Sequence, residues 1–264
     1  MPWQLVLFEK SLKKKQKLEL ILSQLRETAG KDCLLVTHGD NTGALNHHLR
    51  LHGGNWTWVE NEREKIEEMS RFLGEPVLPG TPSGIPVEDE SFDVVVSIDV
   101  HEHLDDCRPF NRELRRVVRP GGTVVVSTPT GDAWKPVTVL KHLVGMTKER
   151  YGHRVIGYTI RQHRTMLREA GLEPQTAGTY SRFFTELLEL AINFAYVRIL
   201  SRKSPPTPGT IAPSTSVQLR AVDRQVRVYS AVYPLLWSIS RLDRLLFFFK
   251  GYAVSVVARR PDRN

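Results

Sequence analysis

The chain has 264 residues, 41% of them hydrophobic and 25% charged. That length supports one large domain or two small ones, and two cysteines, Cys33 and Cys107, cannot staple a disulfide-dense secreted scaffold. The net charge of +8 is uneven: residues 1–140 hold 17 basic and 21 acidic side chains, so the whole excess lies in residues 141–264, which argues against a uniformly basic nucleic-acid coat.

The first residues lack the charge-first, apolar-second order of a secretory leader, because Lys10, Lys13, Lys14 and Lys15 follow the apolar ones. No uncharged apolar stretch reaches the ~18 residues of a transmembrane helix. A reducing, cytoplasmic setting is the expectation.

Ser11–Thr28 carries Leu12, Leu18, Ile21, Leu22 and Leu25 at helical spacing and predicts an amphipathic leading helix. Cys33–Thr37 reads as a buried strand running into a Gly/Asp/Asn cluster, and Gly43–Leu51 as a helix. Trp56–Glu60 is a second strand, Glu62–Phe72 a charged helix and Pro76–Leu78 a short third strand. Phe92–Ile98 is an apolar run of strand length. Arg108–Val118 is an amphipathic helix stopped by Pro120-Gly121-Gly122, and Thr123–Ser127 is another β-branched strand. Tyr158–Ala170 is a helix closed by Gly171, and Leu172–Tyr180 and Tyr252–Arg259 are the last strands. Strands alternating with helices, each strand nearly all apolar, predict an α/β fold with a parallel sheet covered on both faces. Ligands of such sheets bind beyond the carboxyl ends of the strands, where Gly, Asp, Glu and His residues concentrate here.

Between the last two strands the character changes. Phe183–Leu200 is strongly apolar, with Arg182, Glu186, Glu189 and Asn193 on one helical stripe. Arg202–Ser216 is a Pro/Ser/Thr linker. Gln225–Phe249 is rich in aromatic and aliphatic residues, with Arg224, Arg227, Arg241, Arg244 and Lys250 interspersed. The chain therefore divides into a core with its leading helix (1–180), a helical insertion (181–250) and a last core strand with its tail (251–264). The insertion reads either as a cap over an acceptor pocket or as a surface lying in a membrane interface.

Two features of the first half carry chemistry. The loop Thr37-His38-Gly39-Asp40-Asn41-Thr42-Gly43 follows a strand and opens a helix; it is either a plain turn or a close backbone approach to a ligand. It is not a dinucleotide GxGxxG fingerprint. Glu60 ends the second strand, where an acid can accept hydrogen bonds from both hydroxyls of a ribose or simply favour the next helix's dipole.

Ile85-Pro86-Val87-Glu88-Asp89-Glu90-Ser91-Phe92-Asp93-Val94-Val95 resembles the "LPFxDxSFDVV" segment of class I S-adenosylmethionine-dependent methyltransferases. Val100-His101-Glu102-His103-Leu104 and Glu113-Leu114-Arg115-Arg116-Val117-Val118-Arg119-Pro120-Gly121-Gly122 continue that pattern ("VLEHL…ELxRVLRPGG"). Tyr151-Gly152-His153-Arg154, Gly157-Tyr158-Thr159 and Ala170-Gly171-Leu172 resemble the "GHxRxYT…LLxxAGF" element. The likeness covers roughly residues 31–180 and the last strand, and is greatest to the small-molecule, type 11 branch.

The resemblance implies a Rossmann-like, seven-stranded, mostly parallel sheet with an antiparallel final strand, and S-adenosylmethionine as cofactor. Gly39, Asn41 and Gly43 then match the glycine-loop positions, with Asp40 among them. Glu60 matches the ribose acid, and Asp99 and Val100 match positions near the methionine part of the cofactor. Two positions depart: Thr37 replaces an acid, and Thr81 replaces an Asp that contacts the adenine.

An alcohol or phenol acceptor needs a group that takes its proton, and histidine titrates near neutrality. His153, His101 and His103 are the candidates. No His/Cys/Asp cluster has zinc-ligand spacing, so no metal is expected. The expectation is methyl transfer to a small-molecule or lipid-linked acceptor, on a protein peripheral to an anionic membrane surface, with no nucleic-acid partner. The alternative is a catalytically degenerate binding or scaffold protein at a membrane.

Overall fold

The computed structural model describes residues 1–25, 27–39, 41–81, 84–201, 212–213 and 216–262. Asp40 and most of the Arg202–Ser216 linker lie outside the described residues. In chain order, α1 (Trp3–Glu9) and α2 (Leu12–Gln24) precede β1 (Asp32–Thr37), followed by α3 (Ala44–Arg50), β2 (Asn55–Glu60), α4 (Arg63–Leu73) and β3 (Val77–Pro79). Then come β4 (Phe92–Ile98), a 3-10 turn (His101–His103), α5 (Arg108–Val117), β5 (Val118–Pro129), α6 (Pro136–Leu143), α7 (Ile160–Glu169) and β6 (Glu173–Tyr180). The insertion holds α8 (Phe183–Ser201), α9 (Ser216–Ala221), α10 (Asp223–Ser240) and a second 3-10 turn (Arg241–Leu246), and β7 (Ala253–Arg259) follows.

The seven strands form one sheet in the order β3-β2-β1-β4-β5-β7-β6. β7 runs antiparallel to both of its neighbours, and the other pairings are parallel. This is the class I, Rossmann-like arrangement that the family resemblance implies. The period of two in β1 divides the core into two layers. Leu34 and Val36 pack with Val95, Phe110, Leu114 and Leu167 beneath α5 and α7. Cys33 and Leu35 pack with Ile21, Leu45, Trp58 and Met69 beneath α2, α3 and α4.

Three elements differ from expectation. The apolar start of the chain folds as α1, whose Phe8 is buried with its ring 4.4 Å from that of His48. β5 begins at Val118 rather than Thr123, because the Pro120-Gly121-Gly122 stretch is itself hydrogen bonded: Gly121 N–H donates to the Arg260 carbonyl at 2.9 Å. α6 was not anticipated; its Val137 joins Met146, Leu190 and Tyr252 in a small separate core.

The polar stripe of α8 faces inward. Glu186 is 1% exposed and pairs with Lys13 of α2 at 3.1 Å, with Lys141 of α6, and with the Ser181 hydroxyl at 2.5 Å. Glu189 accepts the Lys13 N–H at 3.0 Å, and Gln16 donates to Thr185 at 2.9 Å. Asp243, at the far end of the insertion, accepts the N–H groups of Arg182, Phe184 and Thr185 at 2.8–3.2 Å. A carboxylate there satisfies orphan donors and favours the helix dipole. The insertion is thus seated on the leading helix through polar groups, which leaves apolar side chains on its outer side.

Candidate active site

Parallel pairing aligns the strand ends that the sequence singled out. Thr37 is in register with Glu60 on one side and with Ile98 on the other. The glycine-bearing loop, Glu60 and Asp99 therefore share the carboxyl edge of three adjacent strands.

Glu60 is fully buried. Its Oε2 accepts the Thr37 hydroxyl at 2.7 Å, and its Oε1 accepts the N–H groups of Gly39 at 2.9 Å and Glu62 at 2.8 Å. Burial pushes its pKa up, and those three hydrogen bonds partly offset that. Thr37, where the family pattern has an acid, is thus a donor to Glu60. Asn41 fills the space that a glycine would leave: its Nδ2 donates to Asn46 at 2.6 Å and to Thr37 at 3.3 Å, and its Oδ1 accepts the Gly43 N–H at 3.0 Å. Thr37, Asn41, Asn46 and Glu60 form one buried network that fixes the loop. Gly39 has φ +67°, a left-handed backbone that side-chain-bearing residues rarely adopt, so the turn favours glycine.

Asp99 follows β4 with φ +54°, a left-handed conformation that a non-glycine residue rarely adopts. Its carboxylate is bound by the ammonium of Lys17, from α2. In sequence Lys17 is one of a run of lysines that reads as solvated; in the fold it is only 6% exposed. Val100 is fully buried and caps the 3-10 turn. Thr81 is exposed; its N–H and hydroxyl both donate to the Gly84 carbonyl, at 3.0 and 3.3 Å.

The three histidines separate. His101 is fully buried, its Nε2 2.8 Å from Asn111 Oδ1, its ring edge-on to Phe110 and His163. Burial pushes its pKa down to about 4. It belongs to the layer under α5 and α7 and reaches no acceptor in this conformation. His103 and His153 meet edge to face, ring centroids 4.8 Å apart. His103 Nδ1 lies 3.0 Å from the Gly152 carbonyl. A carbonyl only accepts, so Nδ1 carries the proton and Nε2 the basic lone pair. His38 stacks on His103 with ring centroids 4.0 Å apart. The loop holding His153 is tied down because Arg154 N–H donates to the Glu102 carbonyl at 2.8 Å. Glu102, His103 and His153 offer ligand atoms that all lie within 4.8 Å of one another. Linear spacing gave no sign of this trio, because 49 residues separate the two histidines.

Residues 37–126 match the family model described as a methyltransferase domain. Over that segment the chain is similar to the type 11 family of S-adenosylmethionine-dependent methyltransferases. It is 46% identical over 67 residues to a Mycolicibacterium smegmatis protein named a probable S-adenosylmethionine-dependent methyltransferase, covering 25% of this chain and 26% of that one. It is 31% identical over 99 residues to a phthiotriol/phenolphthiotriol dimycocerosates methyltransferase of Mycobacterium tuberculosis, covering 36% and 37%. The matched stretches thus span between a quarter and about a third of these relatives. Among solved structures, the [4+2]-cyclase SpnF superposes with TM-score 0.61 at 16% identity, over 95% of this chain and 82% of that one. That likeness concerns the fold alone. The matched segment contains the loop, Glu60, Asp99 and the 3-10 turn.

Proposed function

We propose that the chain is an S-adenosylmethionine-dependent methyltransferase whose acceptor is lipid-linked. The observation that carries the first part is the alignment of the loop, Glu60 and Asp99 on adjacent strand ends of a class I sheet. The residues fit the cofactor's chemistry. Asp99 already holds one ammonium, that of Lys17, and an amino-acid ammonium makes the same demand. Glu60 stands where a ribose acid is wanted, and among the described residues Oε2 accepts a single hydrogen bond, from Thr37. When bound, S-adenosylmethionine supplies an electrophilic methyl group. Gly39, Asn41 and Gly43 shape the loop that approaches it, with Asp40 alongside, and Val100 and Thr81 border it. On this reading His103, four residues after Asp99, and His153 beside it face the acceptor, whose hydroxyl proton an imidazole Nε2 can take.

Lipid as the acceptor class rests on the insertion and on the M. tuberculosis relative, whose name is that of a lipid methyltransferase. Leu245, Phe247 and Phe248 are 68–80% exposed, and Trp134 is 71% exposed. Lys135 Nζ donates to the Lys250 carbonyl at 2.9 Å, so Trp134 and the Phe247–Phe248 pair lie on adjoining segments. Arg241, Arg244 and Lys250 border them. Apolar tips ringed by cations suit an anionic lipid surface. Among the described residues, no helix is long and apolar enough to cross a membrane.

A second reading, a binding or scaffold protein without activity, draws on the enclosed Glu60 and on the Lys17–Asp99 pair, which together occupy the groups a cofactor would use. Calorimetry decides between them. Micromolar binding of S-adenosylmethionine and S-adenosylhomocysteine supports the enzyme, and no heat at millimolar ligand would sink it.

A further inference from the structure

We propose that Glu102, His103 and His153 form a binding site for a first-row divalent transition cation, such as Mn²⁺, Fe²⁺, Co²⁺ or Zn²⁺. Three independent observations converge on it. The first is composition and proximity: one carboxylate oxygen and one ring nitrogen from each histidine lie within 4.8 Å of one another. Ligands about 2.1 Å from a tetrahedral ion stand roughly 3.4 Å apart, so side-chain adjustments of about 1 Å close the trio on a cation.

The second is the state of Glu102. The residue is 1% exposed, yet its Oε2 has no hydrogen-bond partner. A buried carboxylate with an unsatisfied oxygen costs several kcal/mol unless a proton or a cation neutralises it. Lys17 is committed to Asp99, so it leaves Glu102 without a direct ion pair among the described residues. A cation seated between Glu102 and the histidines supplies the missing charge.

The third is the outer shell. Metal-binding histidines characteristically donate their second ring N–H to a carbonyl, which fixes the tautomer and aims the other nitrogen at the ion. His103 has that arrangement with Gly152, in the same loop that delivers His153. The Glu102 carbonyl holds that loop through Arg154 and Val155, so one short segment supplies two ligands and anchors the third.

Two imidazoles and one carboxylate favour transition cations over Mg²⁺ or Ca²⁺, which prefer oxygen. Three protein ligands leave coordination positions open, as sites that bind substrate do. Within the methyltransferase reading, on which only this clause rests, the open positions take an oxygen of the acceptor. The cation then polarises a hydroxyl or carboxylate oxygen, and the acceptor class narrows to oxygen donors. Neither His103 nor His153 acts as the proton acceptor while the ion is bound.

The test uses the full chain, stripped with a chelator and dialysed. Mn²⁺ binding is read by loss of the free-ion electron paramagnetic resonance signal, and Co²⁺ by its visible absorption. One saturable cation per chain is expected, with affinity falling at least tenfold in His153→Ala, a loop variant that leaves the core intact, and in Glu102→Gln. The absence of saturable binding below millimolar cation overturns the site, as does wild-type affinity in His153→Ala. S-adenosylmethionine binding is titrated separately without added cation. Cofactor binding without metal binding defeats this inference alone; metal binding without cofactor binding defeats only the methyltransferase reading.

Discussion

Lys17, on the leading helix, forms an ion pair with Asp99, at the carboxyl end of the central strand β4. The two residues are 82 apart in sequence, and their side chains are 8% and 16% exposed. The leading helix is therefore locked to the strand end where the family places the amino-acid part of its cofactor. On the function proposed above, an incoming cofactor ammonium would compete with Lys17 for one carboxylate.

Lys17→Met should thus act in two opposite directions. Removing the competing ammonium should tighten S-adenosylhomocysteine binding several-fold. Leaving Asp99 without its partner in a mostly buried place should lower stability by about 1–3 kcal/mol. Calorimetry and urea denaturation read the two effects. Unchanged affinity would show that Asp99 does not meet the ligand's ammonium.

Glu60 ties the loop after β1 to the end of β2. Glu60→Ala should cost about 1–3 kcal/mol, because the Thr37 hydroxyl and two backbone N–H groups lose their acceptor. It should also weaken S-adenosylmethionine binding at least tenfold. Glu60→Gln keeps an acceptor oxygen and should recover part of both. A fully stable Glu60→Ala with wild-type affinity would remove Glu60 from the site.

Glu186 is the hinge between insertion and leading helix. Burial disfavours its carboxylate, yet the Lys13 and Lys141 ammonium groups outweigh burial and hold its pKa well below the usual carboxylate range. Its folded pKa is depressed, so its contribution is complete above pH ~4.5 and is lost as the pH falls below that. Glu186→Gln should lower stability at pH 7 by about 3–5 kcal/mol, the cost of leaving buried lysines unpaired. The difference from wild type should shrink as the solution is acidified. Parallel stability curves from pH 7 to pH 3 would exclude this role.

His101 should report on a different pH window. Burial holds the folded ring at about 4, against an ordinary value of 6.5. The unfolded chain takes up the proton first, so stability is complete above pH ~6.5 and declines toward pH 4, by about 3 kcal/mol from this residue. Buried His163, whose pKa is also pushed down by burial, adds in the same direction. Denaturation between pH 7.5 and 4 should give a shallower slope in His101→Gln. An unaltered slope would contradict the assignment.

The sheet was legible because its strands are short apolar runs bounded by turn residues, and Cys33–Thr37 and Phe92–Ile98 read directly. The antiparallel last strand came from the family resemblance and not from the residues' pattern. The histidines were found as candidates, but their separation was not: His101 and His103 differ by two positions on a turn, and packing sends one into the core and the other to the loop. Of the stripe expected from Arg182, Glu186, Glu189 and Asn193, the last three lie on α8 and Arg182 precedes it. Amphipathic reasoning would turn such a stripe toward water; Lys13 and Lys141, distant in sequence, turn it inward. Lys17 carries no linear signal, and Glu102, although part of the VLEHL-like stretch, carries none for its place beside His153, because each owes its role to a partner brought by the fold.

The exposed tip of the insertion gives the last prediction. Phe247 and Phe248 are 80% and 73% exposed, with rings 5.6 Å apart. Burying one phenylalanine in an apolar phase contributes about 1.5–3 kcal/mol, so Phe247→Ser/Phe248→Ser should reduce liposome partitioning by one to two orders of magnitude or more. Each cation near an anionic surface adds about 1 kcal/mol, so Arg241→Gln/Arg244→Gln should weaken binding to anionic vesicles and leave neutral vesicles little affected. Phe247 and Phe248 lie beyond the Asp243 cap and are mostly exposed, whereas Arg241 rests over the Trp237 ring at 5.2 Å, so circular dichroism checks that each double variant keeps the fold. Flotation with anionic and with neutral vesicles separates the apolar from the electrostatic contribution. If the wild-type chain stays in the soluble fraction with both, the membrane face is excluded and the acceptor must arrive through solution.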